Sequence, residues 1–315
     1  MKIVIPGGSG QVGTMLARAF VGGGHDVVVL SREDRSTAWR CELWDGRTLG
    51  LWVSEIDGAD VVINLAGRSV NCRYNSENRR AILESRVDST RVVGEAISHA
   101  KKPPRVWLQA STATIYSHRH DAPNDEATGM IGGHEQDVPD TWRFSIEVAR
   151  AWETACNEAD TPCTRRVLLR SAMTMSPDRG GIFDTLLSLV TRGLGGTAGD
   201  GRQYVSWIHE FDFVRAIMWL IEHDTIDGPV NLASPNPLPN EQFMRILREA
   251  CGAGLALSAS AWMLSLGAIF MGTETELILK SRRVVPGRLL DGGFQFEFPD
   301  WAAASAELCR RSRTG

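Results

Sequence analysis

Seven residues near the start of the chain, Gly7-Gly8-Ser9-Gly10-Gln11-Val12-Gly13, constrain its folding more than anything that follows. They stand directly after the apolar run Ile3-Val4-Ile5 and open a stretch with helical spacing, Val12 to about Val21, so they read as the turn of a strand–turn–helix unit. The spacing satisfies G-x-x-G-x-x-G and G-x-G-x-x-G together. Glycine is needed there for three reasons: the chain turns tightly, its backbone must approach a pyrophosphate, and the helix must close on the strand with its N-terminal N–H groups aimed at the anion. Gly22-Gly23-Gly24 ends the helix ahead of a second β-branched run, Val27 to Leu30. Gly7, Gly10, Gln11, Val12 and Gly13 are therefore expected to hold a dinucleotide.

The second strand ends Leu30-Ser31-Arg32, where an NAD-selecting protein would place an acid to accept from the ribose 2′-hydroxyl. Arginine there suits a 2′-phosphate, which it can grip bidentately, and Ser31 adds a hydroxyl. NADP(H) is the expected cofactor. Asp45 is expected to cap the loop after the third strand, beside the adenine. Val62-Ile63-Asn64-Leu65-Ala66-Gly67 reads as a buried strand ending in small residues, so that Leu65, Ala66 and Gly67 pass under the cofactor.

The rhythm continues with Val61 to Leu65, a helix from Ser76 to Ala100, a strand from Val106, a helix from Trp142 to Glu158, a strand at Val167-Leu168-Leu169 and a helix from Phe183 to Thr191. This alternation predicts an α/β fold, a Rossmann-type doubly wound parallel sheet. A large NADP-binding domain is expected over 1–235, with loop insertions at 113–143 and 193–203. The Pro-rich passage after Asn231 leads into a smaller C-terminal α/β domain, a substrate or cap domain, over 236–315. The stretch between Thr112 and Phe144 is too long for an ordinary connection and reads as an active-site loop or lid.

Composition excludes some function classes. The 34 basic and 38 acidic residues leave a net charge of −4, which gives no field to hold a polyanion, so nucleic acid is not an expected partner. The six cysteines show no C-x-x-C and no framework spacing, as reduced cytoplasmic thiols do. Cys251 to Thr273 lacks charge, but its glycines and serines and the following Glu274 and Glu276 favour a buried helix over a membrane span. Met1 runs straight into the first strand, so no signal peptide is expected. Only Lys2, Lys101, Lys102 and Lys280 are lysines, and only Tyr74, Tyr116 and Tyr204 are tyrosines.

The chain resembles the extended short-chain dehydrogenase/reductase superfamily in Gly7 to Gly13, Leu65-Ala66-Gly67 and Ser111-Thr112-Ala113-Thr114-Ile115-Tyr116. It is most similar to an atypical branch of NAD(P)-dependent epimerase/dehydratase-like proteins with a C-terminal domain of unknown function, some of them named as cell-division inhibitor homologues. The resemblance extends through Ser85-Arg86, Phe144 with Val148 and Trp152-Glu153, Trp207-Ile208-His209 with Asp212, and Pro286-x-Arg288-Leu289 with Gly293-Phe294. It implies that Thr112 supplies the hydroxyl that orients a carbonyl, that Ser111 lies at the cofactor, and that the strand bearing Arg170 lies beside the nicotinamide. In active members a tyrosine and a lysine four residues later move the proton. Here Phe144 and Val148 occupy those places, and none of the three tyrosines has a lysine four residues on.

Three readings follow: NADP(H) binding without turnover, redox chemistry with another acid/base group, or a proton supplied by the substrate. Tyr116 is the candidate substitute acid, against a packed aromatic. Glu147 and Glu153 read as solvated or first-turn charges, Asp212 as the N-cap of a helix Phe213 to His223, and Arg170 either as a cofactor neighbour or as an ion-paired strand-end arginine. His118, Arg119, His120 and Asp121 do not make a metal site, because an arginine separates the ligands. Val205 stands where nucleotide-sugar enzymes carry an arginine for the substrate diphosphate, which argues against such a substrate. The expectation is a cytoplasmic NADP(H)-binding, epimerase/dehydratase-like monomer or homodimer with an oxidoreductase activity on an unknown small molecule, or else a non-catalytic NADPH sensor or interaction protein related to cell division.

Overall fold

The computed structural model describes residues 1–34, 36–135, 138–254, 256–258 and 276–313. The first half of the chain alternates β1 (Lys2–Pro6), α1 (Gln11–Gly22), β2 (Asp26–Ser31), β3 (Arg40–Leu43), α2 (Val53–Ile56), β4 (Val61–Asn64), α3 (Ser76–His99), β5 (Val106–Thr112) and α4 (Asp140–Asn157). The second half adds β6 (Arg165–Ser171), β7 (Met173–Met175), α5 (Ile182–Thr191), β8 (Tyr204–Val205), β9 (Trp207–His209), α6 (Glu210–Glu222), β10 (Gly228–Leu232), β11 (Leu238–Pro239) and α7 (Asn240–Cys251). After the undescribed stretch come α8 (Glu276–Leu279), α9 (Gly287–Asp291) and α10 (Trp301–Ser312).

Seven strands form one parallel sheet in the order β3-β2-β1-β4-β5-β6-β10, with the topological switch between β1 and β4. Both faces are covered, which is why the central strands read as unbroken apolar runs. Ile3 and Ile5 pack with Leu16 and Phe20 of α1 and Phe213 and Ile217 of α6. Val4, Val28 and Val62 point the other way, onto Val92, Val93 and Ala96 of α3. This is the doubly wound fold expected from the sequence.

The C-terminal elements fasten onto this frame. Leu289 and Phe294 join the core of the large sheet. Trp301 of α10 stacks on Phe243 of α7 at 4.1 Å and donates to its carbonyl at 2.9 Å. Asp212 does not cap its own helix, as the sequence suggested: His209 does, accepting from Phe211 N at 3.1 Å. Asp212 is fully buried in the first turn of α6 and accepts from Glu297 N and Phe298 N, both at 2.8 Å, so it holds the C-terminal segment instead. The long connection before α4 is pinned in a similar way, because Asn124 N donates to Arg283 O at 2.7 Å and Ser281 N donates to His118 Nδ1 at 2.8 Å. The helix expected from Cys251 to Thr273 lies largely outside the described residues; Cys251 itself ends α7, followed by Gly252 at φ +70°. Among the described residues no helix is long and apolar enough to cross a membrane.

Candidate functional site

Open α/β sheets bind ligands at the carboxyl ends of their strands, beside the switch point. Here the turn after β1 reaches across to the end of β4. A side chain at Gly7 (φ +72°) would bring its Cβ within 2.5 Å of Ala66 Cα, and one at Gly13 would fall 2.4 Å from Gly8 Cα and O. Those two positions are closed by backbone. Gly10 is the opposite case, since a Cβ there would meet nothing within 4 Å. It is the N-cap of α1, which has no side-chain cap and no acidic residue in its first turn. The first N–H groups of α1 are thus left for a ligand, and the space above Gly10 suits a pyrophosphate.

The other residues expected around the cofactor lie at the carboxyl ends of β2, β3 and β4. Ser31 ends β2, buried, its Oγ accepting from Glu33 N at 3.2 Å, and Arg32 follows it exposed. Asp45 caps its own loop, accepting from Arg47 N at 2.8 Å and from Thr48 N and Oγ1 at 2.9 and 2.7 Å, which holds its carboxyl down at about 2. Ala66 N donates to Asn64 Oδ1 at 3.1 Å, and Asn64 is tied in turn to Gln109 at 3.0 Å, a fully buried amide pair that sets the height of the Leu65-Ala66-Gly67 turn. Between these turns lies a cleft of about 380 Å³ bounded by Gln11, Val12, Leu65, Ser111 and Ser171.

A second recess, about 140 Å³, opens between α3, the end of β5 and α4. Phe144, Val148 and Trp152 line it from successive turns of one face of α4, and Thr112 lines it from β5. Thr112 Oγ1 accepts from Thr114 N at 3.1 Å. Phe144 and Val148, the positions expected for the proton-transferring dyad, thus present apolar side chains to this recess. Polar groups reach the recess from elsewhere. Tyr74, before α3, packs edge-on to Phe144 with ring centroids 5.2 Å apart, and its hydroxyl is hydrogen-bonded to Ser145. Ser145 in turn donates to Glu276 Oε2 in a short bond.

Glu276 is ion-paired with Lys280 at 3.9 Å and Arg282 at 3.8 Å, and Lys280 also donates to Thr114 O at 2.8 Å. Burial brings Lys280 down to about 8. Arg86 lies over the Trp152 ring at 5.0 Å and donates to the carbonyls of Arg68 and Ile82, both at 3.0 Å. No carboxylate pairs with Arg86 among the described residues, and burial brings it down to about 10. It also lies against the turn after β4, because a Cβ on Gly67 would come within 3.1 Å of its Cζ. Sequence reasoning had not placed Tyr74, Arg86, Ser145, Glu276 or Lys280 in the site; the Ser85-Arg86 pair and the scarcity of lysine were the available signals.

Other expected residues lie apart from these openings. Tyr116, the candidate substitute acid, is 2% exposed, and its hydroxyl is engaged twice, donating to Asn231 Oδ1 at 2.9 Å and accepting from Arg170 NH1 at 3.0 Å. It is a packed aromatic lining neither opening. Arg170 points to the same interior, its Nε and NH2 each 2.8 Å from the two oxygens of Glu153, while Ser171 next to it lines the cleft. Arg170 is the ion-paired arginine of the two readings, and Glu153 is buried rather than solvated. Ser111 donates to Glu153 Oε1 at 2.6 Å, so this interior network anchors the end of β5 from behind. A recess of about 650 Å³ among Arg105, Arg165, Asp224 and Asp227 lies at the amino ends of β5, β6 and β10, the end of the sheet away from the glycine turn.

The profile of the NAD dependent epimerase/dehydratase family matches residues 3–233, and that of a domain of unknown function, DUF1731, matches residues 259–308. The epimerase family protein YfhF of Bacillus subtilis is 31% identical over 324 aligned residues, which take in 100% of both chains. Among solved structures, the human epimerase family protein SDR39U1 (isoform 2) with NADPH superposes with a TM-score of 0.85 at 26% identity, covering 98% of this chain and 99% of that one. The nucleoside-diphosphate sugar epimerase of Corynebacterium glutamicum gives a TM-score of 0.75 at 29% identity, with 98% of this chain matching 58% of that one.

Proposed function

The chain belongs to the NAD dependent epimerase/dehydratase family, and from that premise we propose that it is a cytoplasmic NADP(H)-binding oxidoreductase acting on a small molecule. The uncapped start of α1 beneath the open side of Gly10 is the observation that carries this reading. Gly7, Gly10, Gln11, Val12 and Gly13 hold the pyrophosphate, Ser31 and Arg32 receive the 2′-phosphate, and Leu65, Ala66 and Gly67 support the ribose. The human relative solved with NADPH supports the choice of cofactor. When bound, the nicotinamide supplies or accepts a hydride. In this reading Thr112, which lines the recess, holds a carbonyl oxygen there.

A nucleotide-sugar substrate is disfavoured by Val205, which is nine-tenths buried in the β8–β11 pair where the substrate-binding arginine would stand. The test is a fluorescence titration of the full chain with NADPH and NADH. Wild type is expected to prefer NADPH, and Arg32→Asp to weaken NADPH by roughly 10-fold or more, about 1.4 kcal/mol, with NADH unchanged or improved. Equal affinity of the wild type for both cofactors would remove Arg32 from the selection.

A further inference from the structure

We propose that the proton-transfer function missing from α4 is supplied by Tyr74, with Ser145 and Glu276 as its proton relay and Arg86 as the cation beside it, acting on the carbonyl of a small, largely apolar molecule. The inference rests on the cofactor reading above. Phe144 and Val148 cannot move a proton, yet the recess they line is not inert. A phenol stands edge-on to Phe144, and a guanidinium stands over Trp152, one helical turn beyond Val148. A phenol and a cation thus flank the two vacated positions, brought in from the neighbouring helix and the loop before it. Both line the recess that Thr112 enters.

The connectivity gives the phenol somewhere to exchange its proton. Ser145 donates to Glu276, so the Tyr74 hydroxyl donates to Ser145 Oγ, and a continuous path runs from the phenol to a carboxylate held by Lys280 and Arg282. In reduction, Tyr74 gives its proton to the carbonyl oxygen as the carbonyl carbon takes the hydride from the reduced nicotinamide. The C=O π bond opens, the substrate becomes an alcohol, and the cofactor is oxidised. Reduction starts from the form in which Glu276 has taken up one proton from solvent: Ser145 passes its proton to the phenolate and takes that of the Glu276 carboxyl, which leaves the carboxylate held by Lys280 and Arg282. In oxidation every transfer runs backwards. The groups facing the phenol are Cys72, Arg86 and Glu276, with Arg79 lying over the Phe144 ring. Burial raises the Tyr74 phenol; Ser145, which turns to donate once the phenol ionises, lowers it, the Glu276 charge raises it, and Arg86 lowers it again. The walls set the substrate class, since Val70, Ile82, Phe144, Val148 and Trp152 are apolar and the described recess, about 140 Å³, is small for a sugar nucleotide.

The experiment uses the full chain loaded with NADPH and a panel of small carbonyls (4-nitrobenzaldehyde, cyclohexanone, butan-2-one), following loss of reduced-nicotinamide absorbance in a single turnover. Tyr74→Phe keeps the ring in place and is expected to lower the rate by roughly 10²- to 10⁴-fold, with NADPH affinity within about 2-fold of wild type. Ser145→Ala is expected to produce a smaller loss with the fold intact. A second readout needs no turnover: the ultraviolet ionisation difference between wild type and Tyr74→Phe isolates one of only three tyrosines, and Arg86→Met is expected to move that titration to higher pH. A wild-type rate in Tyr74→Phe, an unmoved phenol titration in Arg86→Met, or NADPH binding with no turnover on any panel member overturns the proposal. Failure to bind NADPH at all would instead sink the cofactor reading beneath it.

Discussion

Gly10 and Gly13 stand three residues apart in one turn, and the structure assigns them opposite consequences on substitution. At Gly10 the backbone is extended (φ −78°, ψ 175°), a conformation any residue adopts, and an added methyl would touch nothing within 4 Å. The fold should lose only what alanine loses against glycine as an N-cap, about 0.5–1 kcal/mol. The methyl would, however, occupy the space over the first N–H groups of α1. With a pyrophosphate displaced from those donors, NADPH affinity in Gly10→Ala should fall roughly 10- to 100-fold, about 1.4–2.8 kcal/mol.

At Gly13 the added Cβ would lie 2.4 Å from Gly8 Cα and O, and these are backbone atoms, so nothing flexible is there to yield. Gly13→Ala should therefore lose about 1–3 kcal/mol of fold stability from overpacking, before any ligand is added. Urea unfolding of the unliganded chain and NADPH titration of the folded chain separate the two quantities. Gly10→Ala that binds NADPH like wild type would move the pyrophosphate away from this turn and refute the reasoning. Gly13→Ala with wild-type stability would refute the packing half.

Two further perturbations test the frame behind the site. Glu153 accepts from Arg170 twice and from Ser111 once in the interior, so Glu153→Gln should strand a buried guanidinium and lower stability by about 3–5 kcal/mol in urea unfolding; a loss under about 1 kcal/mol would mean the pair is solvated. Asp212→Ala removes the acceptor of two backbone N–H groups, and each left unsatisfied is worth about 1–3 kcal/mol. The amides of Glu297 and Phe298 should lose hydrogen-exchange protection before the central sheet does, whereas unchanged protection there would deny Asp212 its role as the anchor.

The parts of this molecule that were legible in the sequence are those whose cause is local. The glycine turn is one, because Gly8 and Gly13 answer to contacts within their own strand–turn–helix unit and Gly10 stands open at the start of α1, with Ala66, against Gly7, the single distant partner. The sheet is another, because strands buried on both faces must be apolar at every position. Arg170 and Tyr116 mark where this stops. Arg170 lies near the end of β6 and Tyr116 just after β5, and nothing in their spacing says which side of the sheet they face. Period-two alternation turned Ser171 to the cleft and Arg170 to Glu153, and Tyr116 went with Arg170. Asp212 failed differently: the helix start was read three residues late, and the cap went to His209 because its imidazole reaches Phe211 N.

The recess itself could not be read locally, because its polar groups converge from three separate stretches. Tyr74 precedes α3, Ser145 lies on α4, and Glu276 comes from 131 residues further along the chain than Ser145. Absence of a Tyr-x-x-x-Lys pattern shows only that no single helix carries both groups, since four residues is the spacing at which two side chains share one helical face. It does not follow that the site lacks a phenol or a cation, because tertiary packing can bring each from its own element. The chain has few lysines but many arginines, and Arg86 on α3 beside Trp152 is a cation that a search for Lys cannot find. An unchanged rate in Tyr74→Phe would therefore tell against this particular phenol, while an unchanged rate in the double variant Tyr74→Phe/Glu276→Gln would show that the recess moves no proton through the chain's own groups and that the substrate must bring its own.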